Sequence, residues 1–261
     1  MGVDNCQSNY TLPQAYNLGK LEARGGILVF VHDDVEFLNK DWLKLVRHEL
    51  EDDSVGAIGS AGGTKFFNAP STWWFALGNN QPLRNMKEGP SKNPETFRDS
   101  VISQDVFCLD GFILICRADD LTSFQWSDKI GHWHGYDLDL SLHMKFKQEK
   151  RNIISPKIFV RHGSKGTVNE DWALAMIAVW KKYESDLSGC TNLLHSYLAL
   201  IQFINWTHDF KNVGVSLKET LKRTDLRWIR QIVIGCYSQS PAIKKVSFFT
   251  LKVCQIILQK M

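Results

Sequence analysis

The chain lacks the cysteine pairing that staples small secreted folds. Its six cysteines (Cys6, Cys108, Cys116, Cys190, Cys236, Cys254) form no C-x-x-C pair. Several sit in apolar runs such as FCLDGFILIC, where a free thiol packs as a small core residue. This argues against a disulfide framework and for a reduced, cytoplasmic protein. No secretory leader is expected, because the start MGVDNCQSNY has neither a basic nor an apolar segment. No apolar run reaches the ~18 residues that span a bilayer, so any membrane contact is expected to be peripheral, at the inner face of the cell membrane. Net charge is only +3, which makes nucleic acid an unexpected partner. Internal repeats and low-complexity tracts are missing as well.

What is present is ordinary in bulk: 261 residues, 44% hydrophobic and 23% charged. That is enough for one large domain, or one domain with a helical appendage. The charge is unevenly placed. Residues 211–261 hold ten Lys or Arg against two Asp or Glu, leaving the rest of the chain net acidic. Lys218, Lys222, Arg223, Arg227 and Arg230 interleave there with Trp228, Ile229, Phe248 and Phe249. Two readings stand: basic amphipathic helices lying on an anionic membrane, and a helical bundle with a solvated basic face.

Patterning divides the chain in two. Up to about residue 165, short β-rich runs alternate with helical ones, which predicts an α/β fold. Strands are expected over 27–32, in VGAIGSAGG, over 100–109 and 111–116, and over 153–160 with Pro156 interrupting. A helix is expected over 41–50, with Trp42, Leu45, Val46 and Leu50 on one face and Asn39 or Asp41 as N-cap. Another is expected over 138–147. From residue 169 the pattern becomes helix after helix, over 172–183, 193–206, 217–236 and 246–258. The expected division is therefore 1–168, an α/β catalytic domain, and 169–261, a C-terminal helical region. The segment 62–98, which contains Trp73 and Trp74, is long for a connection and reads as a lid or binding loop.

Three groups carry chemistry. His32-Asp33-Asp34 ends a buried strand, where ligands of open α/β sheets bind. Adjacent carboxylates there repel unless a cation sits between them, and a hard divalent ion, Mn²⁺ or Mg²⁺, would also hold a diphosphate. The plainer alternative is a solvated turn that caps the next helix. HWHGYDLDL places Asp137 at a helix start, either as a cap or as a general base facing a hydroxyl. Trp133 and His134 beside it offer an apolar face to a sugar ring, and the spacing of His132 and His134 also permits metal ligation. RHGSKG puts His162 at a strand end before a Gly, Ser and Lys loop suited to phosphate oxygens, or to a plain surface loop. Taken together, cation site, base and phosphate loop are what a nucleotide-sugar transferase requires.

The runs AYNLGKLEARGGILVFVHDDVEF, VGAIGSAG, Trp73-Trp74, LDGFILICR, GYDLDLSL and RHGSKG resemble glycosyltransferase family 2, in particular its bacterial glycosyltransferase-like subgroup with an H-x-D-V motif. The resemblance covers roughly residues 1–183. It implies a GT-A fold, a mixed sheet flanked by helices, and inverting, metal-dependent transfer from a nucleotide-diphosphate sugar to a bacterial surface glycan or its lipid-linked precursor. Carried over residue by residue, it makes Asp137 the catalytic base and Asp34, with Asp33, His32 and His162, the metal site. Asp4, Asn17 and Lys165 fall at donor positions, and Asp110, Gly111, Trp133 and His134 at acceptor positions. His32 stands where relatives carry the first carboxylate, and Tyr136 where they carry Glu. The family's opening strand, helix and second strand are expected to be missing, which would leave a sheet edge bare. Two other readings remain: a catalytically inactive glycan-binding or scaffold relative, and a metal phosphoesterase built on His32, Asp33, Asp34, His134 and His162.

Overall fold

Short β-branched and aromatic runs bounded by glycine and acids become strands, and the helical patterns fall between them. The structure, a computed structural model, describes residues 7, 10–74, 82–84, 86–88, 102–164, 166–189, 198–199, 201–203, 206 and 213. In chain order the elements are α1 (Leu12–Glu22), β1 (Ile27–Val31), β2 (Val35–Phe37), α2 (Trp42–Glu49), β3 (Val55–Gly59), β4 (Ala61–Gly63), β5 (Pro82–Arg84) and β6 (Met86–Glu88). There follow β7 (Gln104–Val106), β8 (Cys108–Leu109), β9 (Ile113–Arg117), α3 (Tyr136–Phe146), β10 (Arg151–Ile154), β11 (Val160–His162) and α4 (Glu170–Gly189).

The main sheet has five strands in the order β1-β9-β3-β10-β7. Only β3 and β10 run parallel, and the other neighbours are antiparallel. Its central strands are buried on both faces, as a sheet sandwiched between layers must be. In β9, Ile113 and Ile115 enter one apolar cluster while Leu114 and Cys116 enter the other. Among the described residues β1 pairs only with β9 and is one edge of the sheet. Two small three-stranded sheets, β2-β11-β6 and β5-β4-β8, stand beside it.

Several details differ from the sequence expectation. Helix α1 was not anticipated. Thr11 and Gln14 form a capping box, with Gln14 N donating to Thr11 Oγ1 at 3.3 Å and Thr11 N donating to Gln14 Oε1 at 2.9 Å. Proline opens the helix. That start signal is legible in T-L-P-Q, but only Pro13 of the helix is buried, so its apolar periodicity is faint. Helix α2 buries Val46 and Leu50 as expected and stacks Trp42 on Phe37 at 4.0 Å, while Leu45 is exposed. Neither expected cap serves it. The Asp41 side chain makes no cap bond. Asn39 instead accepts from Phe159 N at 3.2 Å and donates to the Lys157 carbonyl, which fastens the segment before β11. The run 153–160 is two strands in different sheets, because the chain turns through Ser155-Pro156, where Lys157 N donates to Ser155 Oγ at 3.1 Å.

Helix α4 begins just after the expected boundary at residue 168. Its Trp172, Ala175, Met176, Val179 and Trp180 join the same apolar cluster as β3, β9 and α3. Asp139, fully buried, ties α3 to α4: Lys182 Nζ donates to its Oδ1 at 2.6 Å and the Tyr183 hydroxyl at 2.8 Å. No helix among the described residues is long and apolar enough to cross a membrane. Residues 198–199, 201–203 and 206 are helical, within the helix expected over 193–206. The helices expected over 217–236 and 246–258 lie outside the described residues, as does the basic stretch.

Asp139→Ala should cost roughly 1–3 kcal/mol, since it removes the acceptor of the bonds from Lys182 and the buried Tyr183 hydroxyl. Thr11→Ala should cost about 1 kcal/mol. Urea unfolding of the two variants measures both.

Candidate active site

The site begins where β1 runs out. His32 N still donates to Phe112 O at 3.0 Å, and Val35 N donates back to His32 O at 3.3 Å. Between those bonds the chain makes a tight turn that carries Asp33 and Asp34. The segment after β11 is stitched to this turn. Gly163 N donates to Asp34 O at 3.0 Å, and Ser164 N to Asp34 Oδ2 at 2.9 Å. His162 stacks on Phe112 at 4.8 Å, which brings its Nε2 to 3.4 Å from Asp34 Oδ1.

Asp34 Oδ1 and His162 Nε2 are both buried, and neither has a hydrogen-bond partner. Together with His32 they form a group whose potential ligand atoms lie within 4.8 Å of one another. Two imidazoles and a carboxylate converging with unsatisfied atoms are chemically fit to hold a divalent cation. Burial raises the Asp34 carboxyl, but hydrogen bonds from Ser164 and the charge of His162 outweigh it and the net effect is lowering. Burial, reinforced by His162, lowers the His32 pKa. A deprotonated carboxylate and a neutral imidazole are the forms that bind metal. Asp33 is exposed and stands outside this group.

The same cleft, of about 460 Å³, is bordered by His32, His162, Asp110 and Asp137. Asp137 sits in the first turn of α3, just after Gly135, whose φ of +79° allows the sharp approach to the helix. A Cβ at Gly135 would lie 2.8 Å from Ile130 Cγ2. Burial, and then the charge of Asp110, push the Asp137 carboxyl up to about 7, against the bond it accepts from Leu138 N. Burial also raises Asp110. Trp73, Trp74, Trp133 and Trp172 wall the cleft. Trp74 stacks on Trp172 at 6.1 Å, and Trp133 is 50% exposed.

The structure thus gathers His32, His162, Asp110, Asp137, Trp133 and His134 at one opening, with Asp34 grouped with the two histidines. Three residues proposed for the site do other work. Asn17 clamps the main chain of Trp126, donating to its O at 2.8 Å and accepting from its N at 3.0 Å. Gly111 backs onto Tyr136, whose hydroxyl a Cβ there would meet at 2.2 Å. His132 is exposed, and its carbonyl accepts from Leu12 N at 2.9 Å. Asp4 and Lys165 lie outside the described residues. Sequence reasoning missed Thr72, Arg84, Trp172 and Met176, which also line the cleft. Arg84 lies over the Trp73 ring at 5.5 Å. These residues come from elements far apart in the chain and share no local motif. The Trp73-Trp74 pair was the one available signal.

With this geometry in view, a family described as glycosyltransferase-like matches residues 3–186. The chain belongs to that family. The mixed α/β sheet flanked by helices is the architecture that the GT-A expectation required. A solved structure of GalNAc-T7 with UDP, GalNAc and Mn²⁺ is similar at 11% identity and a TM-score of 0.44. The likeness covers 85% of this chain and 45% of that one, so the glycosyltransferase-like chain spans less than half the length of that protein. No curated protein matches the sequence.

Because the folded state holds Asp137 near 7 against an ordinary 3.8, the folded protein keeps that proton where the unfolded chain loses it. Stability therefore falls as pH rises between those values. Asp137→Asn should raise the melting temperature most at about pH 8 and hardly at all near pH 4. A scan of melting temperature against pH for both proteins checks this.

Proposed function

We propose that the chain is an inverting glycosyltransferase which moves a sugar from a nucleotide-diphosphate donor to an acceptor hydroxyl. The observation that carries this reading is a single cleft bordered both by His32 and His162, which converge on the unsatisfied Asp34 Oδ1, and by the Asp137 carboxyl, poised near neutrality. His32, Asp34 and His162 would hold the cation. Two imidazoles favour Mn²⁺ over Mg²⁺, which prefers all-oxygen ligands. When bound, the cation supplies positive charge to the diphosphate oxygens as the leaving group departs.

The remaining chemistry falls to the protein. Asp137, ionised at and above neutrality, takes the proton of the acceptor hydroxyl as its oxygen bonds to the anomeric carbon. The bond from that carbon to the diphosphate breaks on the opposite face, so configuration inverts. Asp110, which lines the same cleft and accepts from Phe112 N at 3.2 Å, would lie on the acceptor side. Trp133 and Trp74 offer exposed aromatic faces to a sugar ring, and His134 lines the same side. The acceptor we infer is a bacterial surface glycan or its lipid-linked precursor, elongated at the cytoplasmic face of the membrane. The basic residues of 211–261 would draw the protein to anionic headgroups there.

Calorimetry with nucleoside diphosphates, with and without Mn²⁺, tests the reading. Binding should require Mn²⁺ and disappear in Asp34→Ala. Asp137→Asn should still bind the nucleotide but turn over about 10²–10⁴-fold more slowly. Glycan binding without any nucleotide affinity would sink the transferase and favour the inactive glycan-binding reading. In an active enzyme, log kcat/KM should climb with pH up to about 7 and then level, following the Asp137 carboxyl.

A further inference from the structure

The two positions at which the chain departs from the resemblance, His32 and Tyr136, touch. His32 Nε2 and the Tyr136 hydroxyl are 2.7 Å apart, a full hydrogen bond between the end of β1 and the start of α3. A cation shared with Asp34 and His162 cannot also occupy that nitrogen. The nitrogen left to His32 for ligation is Nδ1. A histidine that binds metal through one ring nitrogen characteristically donates its other N–H to a neighbouring group, which sets tautomer and ring orientation.

We propose that Tyr136 is a positioning residue, whose hydroxyl holds His32 as the Nε2–H tautomer and so presents Nδ1 to the cation shared with Asp34 and His162. The inference rests on the metal site of the proposed function. It is carried by how firmly the hydroxyl is located. The Tyr136 ring is 5% exposed and packs edge-on against Tyr16 at 5.5 Å. Trp126 Nε1 donates to the Tyr136 carbonyl at 2.9 Å. On its far side Gly111 has no Cβ, and one built there would stand 2.2 Å from the hydroxyl oxygen. A merely space-filling tyrosine needs no hydroxyl on a metal ligand and no glycine behind it. Asp137 is the next residue, so the same turn of α3 that orients the ligand also presents the base.

Two measurements test this. In protein labelled with ¹⁵N-histidine, a long-range ¹H–¹⁵N correlation spectrum without metal should show His32 as the Nε2–H tautomer. Tyr136→Phe should lose that preference. Titration of Mn²⁺ alone, followed by the electron paramagnetic resonance of the free ion, should show affinity about 10–100-fold weaker in Tyr136→Phe than in the unaltered protein. Gly111→Ala, which displaces the hydroxyl while keeping it, should weaken Mn²⁺ in the same direction. An Nδ1–H tautomer in the unaltered protein overturns the proposal without needing any variant. Equal Mn²⁺ affinity in the unaltered protein and a folded Tyr136→Phe overturns it alone and leaves the metal site standing. An unaltered protein that binds no Mn²⁺ sinks the metal site and this inference together.

Discussion

The contact on which the site depends is the meeting of Asp34 and His162. It brings a buried carboxylate oxygen and a buried ring nitrogen to 3.4 Å with neither hydrogen-bonded. Leaving such atoms unsatisfied costs roughly 1–3 kcal/mol each. The chain accepts this although two main-chain bonds, from Gly163 and Ser164, hold the strands in register around the gap. Those bonds make the geometry rigid, and the unsatisfied atoms make it receptive. Under the proposed function, a cation would convert that electrostatic cost into binding. The position of the β1 end, the placement of β11 beside β2 and the stacking of Phe112 on His162 all serve to keep this pair together.

Two aspartates separated by one residue divide the work of α3. Asp139 faces inward, fully buried, and its Oδ1 accepts from Lys182 and Tyr183. Its charge is matched, and it secures α4 to the α/β layers. Asp137 faces the cleft and has Asp110 rather than a cation for a neighbour among charged groups. Burial and like charge leave it near 7, which costs stability and, under the proposed function, suits it to act as a base. The same helix start, reached through the left-handed Gly135, therefore contributes one residue to cohesion and one to the cleft. α4 in turn buries Trp172 beneath Trp74, so the docking that Asp139 enforces also builds the aromatic wall of the cleft.

Local patterns made a large part of this legible. Period and length marked β1, β3, β9, α2 and α3, while an acid at the end of an apolar run marked Asp34 and an acid at a helix start marked Asp137 as candidates. The readings that differed did so for nameable reasons. Pro156 marked an interruption but not that the chain leaves one sheet for another there. Asn39 looked like a cap because it precedes a helix, yet its amide is drawn away by the main chain of 157 and 159. Asn17 fell at a donor position by resemblance and is spent instead on Trp126. Helix α1 announced itself only through its capping box, since its face is barely buried.

The sequence by itself determined the α/β class, the strand ends that carry acids and histidines, and the family to which the chain belongs. The family follows from the resemblance of its motifs, and the rest from side-chain period and short-range spacing, which a linear string preserves. Only the tertiary structure decided which of those residues meet. His162 joins Asp34 across 128 positions of chain, Tyr136 reaches His32, and Asp33 turns to solvent beside an Asp34 that does not. Which side chain a strand-end turn directs inward depends on what packs behind it, here Phe112, Gly111 and the first turn of α3. No local pattern encodes that.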